Sequence, residues 1–479
     1  MSVLEHLEPK SVFRYFEEMC AIPHGSRNTK AISDWCVNFA KEHGLEYYQD
    51  EADNVIIIKE ATPGYENAAP IILQGHTDMV CEKEADCPLD MEKDGLDLVV
   101  EGNILRARGT TLGGDDGIAV AIGLAALAAD DLQHPRLEVL LTSDEEIGML
   151  GAEALDASPL QGRQMLNLDS EDEGVFTVSC AGGSEAACTI PVVRTGFDGA
   201  VLRVAVTGLA GGHSGVEINK GRANADMLMG RLLRAMAAKT ELRLVSVDGG
   251  LKDNAIPVAA EAVIVVADAE AAKAAAETLG AAMRNEYRVT DPGLTVAVSE
   301  ANAELLPMDE VSTRRILCWL TCAPNGVQAM SMDIPGLVQT SLNLGILQTR
   351  ADKVTTSFSV RSSVDSQKRM LHDRIRCLVE ELGGSMEIFG DYPGWEYRPE
   401  SPLRDRMQEV FVEQYGYEPK VEAIHAGLEC GLLSAKLPGL DCVSVGPNLK
   451  EIHTPRERLE IDSVQRLWAF VVEVLRRSR

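Results

Sequence analysis

The sequence has few basic residues relative to its acidic ones. Its 479 residues include 45 Lys and Arg against 74 Asp and Glu, which gives a formal net charge of −29. No strongly basic stretch offsets this balance. Binding to a nucleic-acid duplex needs clustered cations against phosphate, so we expect no nucleic-acid partner. An anionic membrane surface is disfavoured for the same electrostatic reason.

Long hydrophobic runs are also lacking. The longest, residues 118–129, is 12 residues long and rich in alanine, well short of the ~20 residues that cross a bilayer. The first segment, MSVLEHLEPKSVF, has neither the cationic nor the apolar region of a signal peptide. The 11 cysteines are odd in number and include no CxxC pair, which is typical of reduced thiols. We therefore expect a cytoplasmic protein without a membrane segment.

The chain is long enough for two domains, and its pattern changes twice. Between residues 70 and 170, short apolar strands such as PIILQGHTD, LEVLLTSDEE and QMLNLDSE alternate with helical segments, which indicates a sheet covered on both faces. From 183 to 392 the strands alternate between polar and apolar residues and predict an α+β domain. The segment DYPGWEYRP reads as a linker, and the first pattern then returns. The predicted fold class is α/β: a mixed, mostly parallel sheet between helices, built from 1–182 and 393–479 and interrupted by the inserted domain.

Histidines and carboxylates follow the apolar strands of the first domain. They are His76, Asp78, Asp115, Asp116, Glu145, Glu146, Asp169 and, far downstream, His453. In sheets of this type, functional residues collect beyond the carboxyl ends of the strands. We therefore expect these side chains to lie at one edge of the sheet.

This set of residues points to bound metal. A mixed histidine and carboxylate set suits zinc, manganese or cobalt better than calcium. Two histidines with three or four carboxylates exceed the needs of one zinc ion and fit two ions that share a bridging carboxylate. Such a pair activates a water and polarises a carbonyl, and a further carboxylate is needed as general base. Taken singly, each residue could equally be a strand-end histidine, a helix cap or a solvated acid.

The motifs carry a family resemblance. GHTDMV, GTTLGGDDG, TSDEEIG, NLDSE and EIHTPRE, in this order, resemble the co-catalytic zinc peptidases that include aminoacylases, carboxypeptidases and carnosinases. Within that group, GGHSGVEINKGRANA, DNAIP and AIHAGLECG are similar to segments of the aminoacyl-histidine dipeptidases. The resemblance covers essentially the whole chain. It implies a zinc-dependent metallo-dipeptidase for unblocked dipeptides, of Xaa-His or broad specificity. It also implies that 183–392 forms a lid, and a homodimer through that lid.

The resemblance assigns roles at the metal site. It implies two zinc ions per chain, with manganese or cobalt as substitutes. One ion would be held by His76 and Asp169, the other by Glu146 and His453, and Asp115 would bridge them. Asp78 would orient the ring of His76, and Glu145 would be the general base. Asp116 stands where another polar residue, such as Asn, is expected.

The resemblance also assigns substrate contacts. His213 would help to stabilise the oxyanion, Asn254 would bind the substrate backbone, Arg361 would bind the substrate carboxylate, and Gly427 would approach the substrate. The alternatives are a turn for His213 and Asn254 and a salt bridge for Arg361. Glu429 is either a ligand-facing carboxylate or structural. A related aminoacylase or small-peptide amidohydrolase is the alternative activity, and a non-catalytic metal-dependent binding protein is the alternative class.

Overall fold

The computed structural model describes residues 2–479, which fold into two compact units. The first comprises the chain up to Ser179 together with Tyr397–Ala423 and Leu428–Arg479, and the second comprises Cys180–Glu396 and Ile424–Gly427. The chain passes from the first unit to the second after Ser179, slightly before the predicted boundary at residue 182. It returns to the first unit after Glu396, slightly after the predicted boundary at residue 393. Residues 424–427 lie in the second unit, whereas the sequence analysis placed them with the first domain.

The regular elements are numbered in chain order. The helices are α1 (Lys10–Cys20), α2 (Lys30–Glu42), α3 (Gly114–Ala128), α4 (Leu150–Ala154), α5 (Ala225–Ala237), α6 (Ala269–Glu286), α7 (Glu310–Cys322), α8 (Asp365–Glu381), α9 (Pro402–Tyr415), α10 (Glu429–Lys436) and α11 (Ile461–Arg477). The strands are β1 (Glu46–Gln49), β2 (Val55–Lys59), β3 (Ile71–His76), β4 (Leu98–Glu101), β5 (Ile104–Ala107), β6 (Leu137–Thr142), β7 (Gln164–Asn167), β8 (Val175–Cys180), β9 (Gly182–Pro191), β10 (Ala200–Thr207), β11 (Leu242–Gly249), β12 (Ala260–Val266), β13 (Thr295–Glu300), β14 (Gly326–Met330), β15 (Val338–Thr349), β16 (Lys353–Ser362), β17 (Ser385–Tyr392), β18 (Lys420–Ile424), β19 (Asp441–Ser444), β20 (Leu449–Lys450) and β21 (Arg458–Glu460).

The large sheet of the first unit is mixed. Its strand order is β1-β2-β6-β3-β7-β19-β8-β18. The central strands β6, β3, β7 and β19 are parallel, whereas β1–β2, β2–β6 and β19–β8 are antiparallel. The predicted mixed sheet is confirmed, but its parallel pairs are confined to the centre. Strands β3 and β6 are buried along their whole length, as apolar strands between helices are.

Helix α3 packs closely because it is built from small residues. A Cβ atom at Gly123 would lie 2.8 Å from Val139 Cγ1 on β6, so only glycine allows this approach. On the sheet, His76 pairs with Thr142 and Gln74 pairs with Asn167. Strands β3, β6 and β7 therefore end side by side, and the residues that follow them lie at one edge.

A second, four-stranded sheet in the first unit has the order β20-β21-β5-β4. Leu459 of β21 pairs with Leu105 of β5 in an antiparallel register. The pairing joins two short strands that lie far apart in the sequence. It brings the loop between β5 and α3, which leads to Asp115, close to the loop that precedes β21, which carries His453.

The second unit has an α+β architecture. Its strand order is β13-β10-β12-β11-β15-β16-β9-β17, with β14 paired to β15, and these neighbours are antiparallel. Helix α7 contributes Trp319 to the core, where its ring meets Phe358 of β16 edge-on at a centroid distance of 5.8 Å. Helix α5 begins after Asn224, whose side chain accepts the N–H groups of Asp226 and Met227. This N-cap stabilises the start of the helix.

The segment DYPGWEYRP was predicted to be a linker, and the chain passes from the second unit to the first within it, between Glu396 and Tyr397. Tyr392 ends strand β17, and Trp395 is buried. The Trp395 backbone exchanges two hydrogen bonds with Cys180, at 3.0 and 3.1 Å. Burial of the Trp395 ring fixes this part of the segment despite the turn-forming residues around it.

The sequence predicts neither membrane helices nor disulfides in this chain. In residues 2–479, no helix has the length and apolar character needed to cross a bilayer. The same range includes all 11 cysteines and contains no disulfide.

Candidate metal centre and active site

Asp115 lies between two histidines at the edge where the parallel strands end. Its Oδ1 is 3.2 Å from Nε2 of His76, and its Oδ2 is 3.2 Å from Nε2 of His453. A carboxylate whose two oxygens face two different imidazole nitrogens is suited to bridge two metal ions. The three side chains come from β3, from the start of α3 and from the loop between β20 and β21.

Asp169 and Glu146 each contact one of the two histidines. Asp169 Oδ1 is 3.6 Å from Nε2 of His76, and Glu146 Oε1 is 2.9 Å from Nε2 of His453. Ligand atoms of Asp115, Glu146 and His453 lie within 4.8 Å of one another, which is compatible with one shared ion. The structure thus brings all five predicted ligand residues together, and their nitrogen and oxygen donors fit zinc, manganese or cobalt.

Asp78 contacts both the ring of His76 and the backbone of Glu145 and Glu146. The ring nitrogen Nδ1 of His76 is 3.0 Å from the carbonyl oxygen of Asp78 and 3.5 Å from its Oδ1. The Asp78 carboxylate accepts the backbone N–H groups of Glu145 at 2.9 Å and Glu146 at 3.3 Å, and the hydroxyl of Ser26 at 2.8 Å. The shortest contact to the ring therefore comes from the carbonyl. The carboxylate mainly fixes the backbone that carries the predicted base and its neighbouring ligand.

Glu145 is partly buried beside the cluster. Its ligand atom lies within 4.8 Å of those of His76 and Glu146. Burial, together with the negative charges of Asp169, Glu429 and Glu146, raises the pKa of Glu145 well above its usual range. A carboxyl group with a raised pKa is suited to accept a proton and pass it on.

Negative charge accumulates around the histidines. Burial and the charges of Asp115 and Glu146 raise the pKa of Asp169 to about 6. Hydrogen bonds with Asp115 and Glu146 raise the pKa of His453 to about 10. Crowded, partly buried carboxylates require compensating cations, so the electrostatics also fit a site for metal ions.

Asp116 is buried against strand β3. Its Oδ2 accepts the backbone N–H of His76 at 3.2 Å, and a Cβ atom at Gly75 would lie 2.5 Å from this oxygen. Burial, with the charge of Asp169, raises the pKa of Asp116 well above its usual range. Asp116 therefore attaches the start of α3 to the strand that carries His76.

Glu429, whose role the sequence left open, is fully buried in the first unit. One carboxylate oxygen accepts hydrogen bonds from the side chains of Gln74 and Thr142, both at 2.7 Å. Burial raises the pKa of Glu429 to about 7. Since both donors lie at the ends of β3 and β6, the geometry favours a structural role that supports these strand ends.

Glu457 was missed by the sequence analysis. It is 2% exposed, and its carboxylate accepts backbone N–H groups from the loop that carries Asp115. The donors are Leu112 at 2.7 Å, Gly113 at 3.1 Å, Gly114 at 2.8 Å and Asp115 at 3.4 Å. The signal available in the sequence was the double glycine of GTTLGGDDG, which marks a close approach to the backbone.

The second unit gathers Arg361 and Gly427 around one tyrosine. Arg361 Nη1 donates to the hydroxyl of Tyr392 at 3.4 Å, and a Cβ atom at Gly427 would lie 2.8 Å from the Tyr392 ring. The Arg361 Nε group is buried and has no hydrogen-bond partner within residues 2–479. The salt bridge considered for Arg361 is not observed among these residues.

His213 and Asn254 lie on adjoining loops of the second unit. Nδ1 of His213 accepts the N–H groups of Gly215 and Val216 at 3.0 and 3.2 Å, so the ring does stabilise a turn. The carbonyl of Asn254 accepts the N–H of Ser214 at 2.9 Å, and its side chain is exposed. Burial and the nearby charge of Arg361 lower the pKa of His213, which keeps the ring neutral at pH 7.

His425 is a second residue that the sequence analysis missed. Its Nε2 is 2.7 Å from the hydroxyl of Ser341, the cross-strand neighbour of Arg361. Its Nδ1 is buried without a partner among residues 2–479. Burial and the charge of Arg361 lower the pKa of His425 to about 3. The second unit therefore contains a cationic group and a neutral histidine with unused hydrogen-bonding capacity.

A cavity of about 760 Å³ adjoins Glu146 in the first unit. Apolar side chains contribute much of its lining, among them Met79, Val80, Met91 and Ile147. It is large enough for a bulky side chain.

The comparisons place the chain among known peptidases. The sequence model of peptidase family M20/M25/M40 matches residues 72–477. Cytosol non-specific dipeptidase of Escherichia coli is 36% identical over 482 residues, covering 99% of both chains. The crystal structure of aminoacylhistidine dipeptidase from Vibrio alginolyticus has a TM-score of 0.93 at 36% identity, covering 98% of this chain and 97% of that one. Aminopeptidase PepT from Bacillus cereus shares the fold, with a TM-score of 0.57 at 14% identity over 98% and 99% of the two chains.

Proposed function

The chain belongs to peptidase family M20/M25/M40, and we propose on this premise that it is a di-metal hydrolase of unblocked dipeptides. The observation that carries the proposal is Asp115, whose two carboxylate oxygens face Nε2 of His76 and Nε2 of His453 at equal distances of 3.2 Å. The similarity to proteins named as dipeptidases over almost the whole chain supports a dipeptide substrate over an N-acyl amino acid.

The metal-binding roles follow the positions of the side chains. His76 and Asp169 would hold one ion, Glu146 and His453 the other, and Asp115 both. Zinc is the proposed ion, with manganese and cobalt as substitutes, because these metals accept mixed nitrogen and oxygen donors. When bound, the pair would activate a water and polarise the carbonyl of the scissile peptide.

The remaining chemistry belongs to protein side chains. Glu145 takes the proton of the attacking water and delivers it to the leaving amine. Asp78 fixes Glu145 by accepting its backbone N–H at 2.9 Å. In the second unit, Arg361 binds the substrate carboxylate, His213 helps to stabilise the oxyanion, and Asn254 binds the substrate backbone.

The proposal also covers the cellular location and the oligomeric state of the enzyme. We place it in the cytoplasm because the cysteines form no disulfide within residues 2–479 and the similar protein of Escherichia coli is named for the cytosol. A homodimer through residues 183–392 rests on the family resemblance alone.

A substrate panel tests the proposed activity. We expect zinc-reconstituted protein to hydrolyse Gly-His and β-Ala-His, and to hydrolyse Leu-His no less efficiently than Gly-His because of the apolar cavity beside Glu146. A tripeptide and an N-acetyl amino acid should have kcat/KM values lower by about 100-fold, because the tripeptide carries its carboxylate farther from the scissile bond and the N-acetyl amino acid lacks a free amine. A preference for the N-acetyl amino acid would instead identify an aminoacylase.

The substrate carboxylate contact is tested by Arg361→Met. A charge-assisted hydrogen bond contributes about 1.5–3 kcal/mol, so KM for a dipeptide should rise by about 10- to 100-fold with a smaller change in kcat. The exposed Arg350, in the same unit, provides the control variant Arg350→Met. A dipeptide amide, which lacks the carboxylate, should bind equally weakly to both variants. Equal KM values for the free dipeptide in wild type and Arg361→Met would exclude the contact.

A further inference from the structure

The loop before helix α3 is held by a carboxylate from the distant end of the chain. Glu457 accepts four consecutive N–H groups, from Leu112 to Asp115, at 2.7–3.4 Å. Leu112 and Gly113 precede α3, whereas Gly114 and Asp115 open it, and N–H groups at a helix start need acceptors from outside the helix. Glu457 therefore provides acceptors for the backbone on both sides of this helix start.

The loop needs an external acceptor because Asp115 itself is not helical. Its φ and ψ angles are −85° and 102°, and the preceding Gly113 has a φ of 66°. A Cβ atom at Gly114 would lie 3.2 Å from Glu457 Oε1 and 2.7 Å from Leu449 Cδ2. The two glycines thus let the backbone turn and let the carboxylate approach.

Glu457 also lies close in sequence to a proposed metal ligand. His453 and Glu457 belong to the same loop between β20 and β21. The ring of His453 lies 3.2 Å from the Asp115 carboxylate, and Glu457 accepts the backbone N–H of Asp115. One loop therefore contacts the bridging residue at its side chain and at its main chain. The position of Asp115 relative to His453 depends on both contacts.

We propose that Glu457 is a positioning residue that sets the backbone of Asp115 relative to His453 and so forms the shared part of the metal site before metal binds. The proposal rests on the proposed function only in taking Asp115 and His453 as metal ligands. Glu457 is not among the residues whose ligand atoms cluster within 4.8 Å of one another, and its carboxylate is occupied by backbone N–H groups, so it acts through Asp115 and not on the ions.

The test compares Glu457→Gln with a matched variant, Glu138→Gln. Glu138 is also a buried carboxylate of the first unit, and it accepts the backbone N–H groups of Gln161 at 3.1 Å and Gly162 at 2.9 Å. It lies at the start of β6, whereas the proposed site follows the end of that strand. In both variants an amide replaces one acceptor oxygen with a donor, which turns an attractive contact with N–H groups into a repulsive one.

The first measurement is amide hydrogen exchange in the full chain after metal removal. We expect exchange at 112–116 to be faster in Glu457→Gln and unchanged in Glu138→Gln, whose own effect falls at 161–162. The second measurement is zinc affinity, by competition with a chromophoric chelator. Loss of a residue that orients a ligand lowers metal affinity by about 10- to 100-fold, so Glu457→Gln should show this loss and Glu138→Gln should retain the wild-type affinity.

The outcomes separate positioning from general stability. If zinc affinity falls by the same factor in Glu457→Gln and Glu138→Gln, at matched thermal stability, Glu457 is only structural and the proposal is wrong. The shorter variant Glu457→Asp, which keeps the charge but cannot reach the same N–H groups, should show the same loss if Glu457→Gln does not fold. A wild-type protein that binds zinc but cleaves no dipeptide would contradict the proposed function, while the exchange and affinity comparison would still decide the role of Glu457.

Discussion

Glu145→Gln is expected to lower kcat for a dipeptide by about 100- to 10,000-fold, the range typical of a lost general base. The amide keeps the shape of the side chain but cannot take a proton from the attacking water. The backbone N–H of residue 145 still donates to Asp78, because this contact at 2.9 Å does not involve the side chain. The metal content per chain and KM should therefore stay close to the wild-type values.

The neighbouring variant Glu146→Gln is the matched control. Glu146 Oε1 lies 2.9 Å from Nε2 of His453, and we propose it as a ligand and not as the base. Glu146→Gln should lose zinc affinity together with activity, whereas Glu145→Gln should lose activity alone. Zinc titration and steady-state kinetics on both variants distinguish the two roles. The reverse pattern would exchange the assignments, and normal turnover of Glu145→Gln would rule out its role as base.

Much of this site could be predicted from the sequence because its parts follow simple geometric rules. His76 directly ends an apolar strand, and Glu145, Glu146 and Asp169 follow two others, so parallel pairing alone places them at one edge. The double glycine before Asp115 marked a turn that presents this residue at a helix start. The family resemblance then supplied the roles, and the structure brings the five proposed ligands together.

Other features depend on long-range pairing that local patterns do not reveal. The sheet that joins β5 to β21 has strands of only a few residues, too short for a periodic signal. The contact of Glu457 with the loop before α3 follows from that pairing and was missed with it. Similarly, DYPGWEYRP has the composition of a linker, and the chain changes unit within it. Its composition does not reveal that Trp395 is buried or that its backbone pairs with that of Cys180.

Metal removal should abolish dipeptide hydrolysis reversibly. Without the ions, the peptide carbonyl loses the proposed source of polarisation, and Glu145 has no activated water to deprotonate. We expect activity to vanish on dialysis against a chelator and to return with zinc, manganese or cobalt. Calcium should not restore it, because calcium prefers an all-oxygen site. Full activity of protein shown to be metal-free by elemental analysis would refute the central proposal.

The pH dependence of zinc binding gives this prediction a second readout. In the metal-free protein, hydrogen bonds with Asp115 and Glu146 raise the pKa of His453 to about 10, so at pH 7 its ring carries a proton. Zinc binds only the deprotonated nitrogen, and binding must therefore release that proton. Apparent zinc affinity should rise between pH 6 and pH 8, by about tenfold per pH unit for each proton released. Calorimetry in buffers of different ionisation enthalpy measures the number of protons directly. Zinc uptake without proton release, or a flat affinity across this range, would contradict the exchange of the His453 proton for zinc.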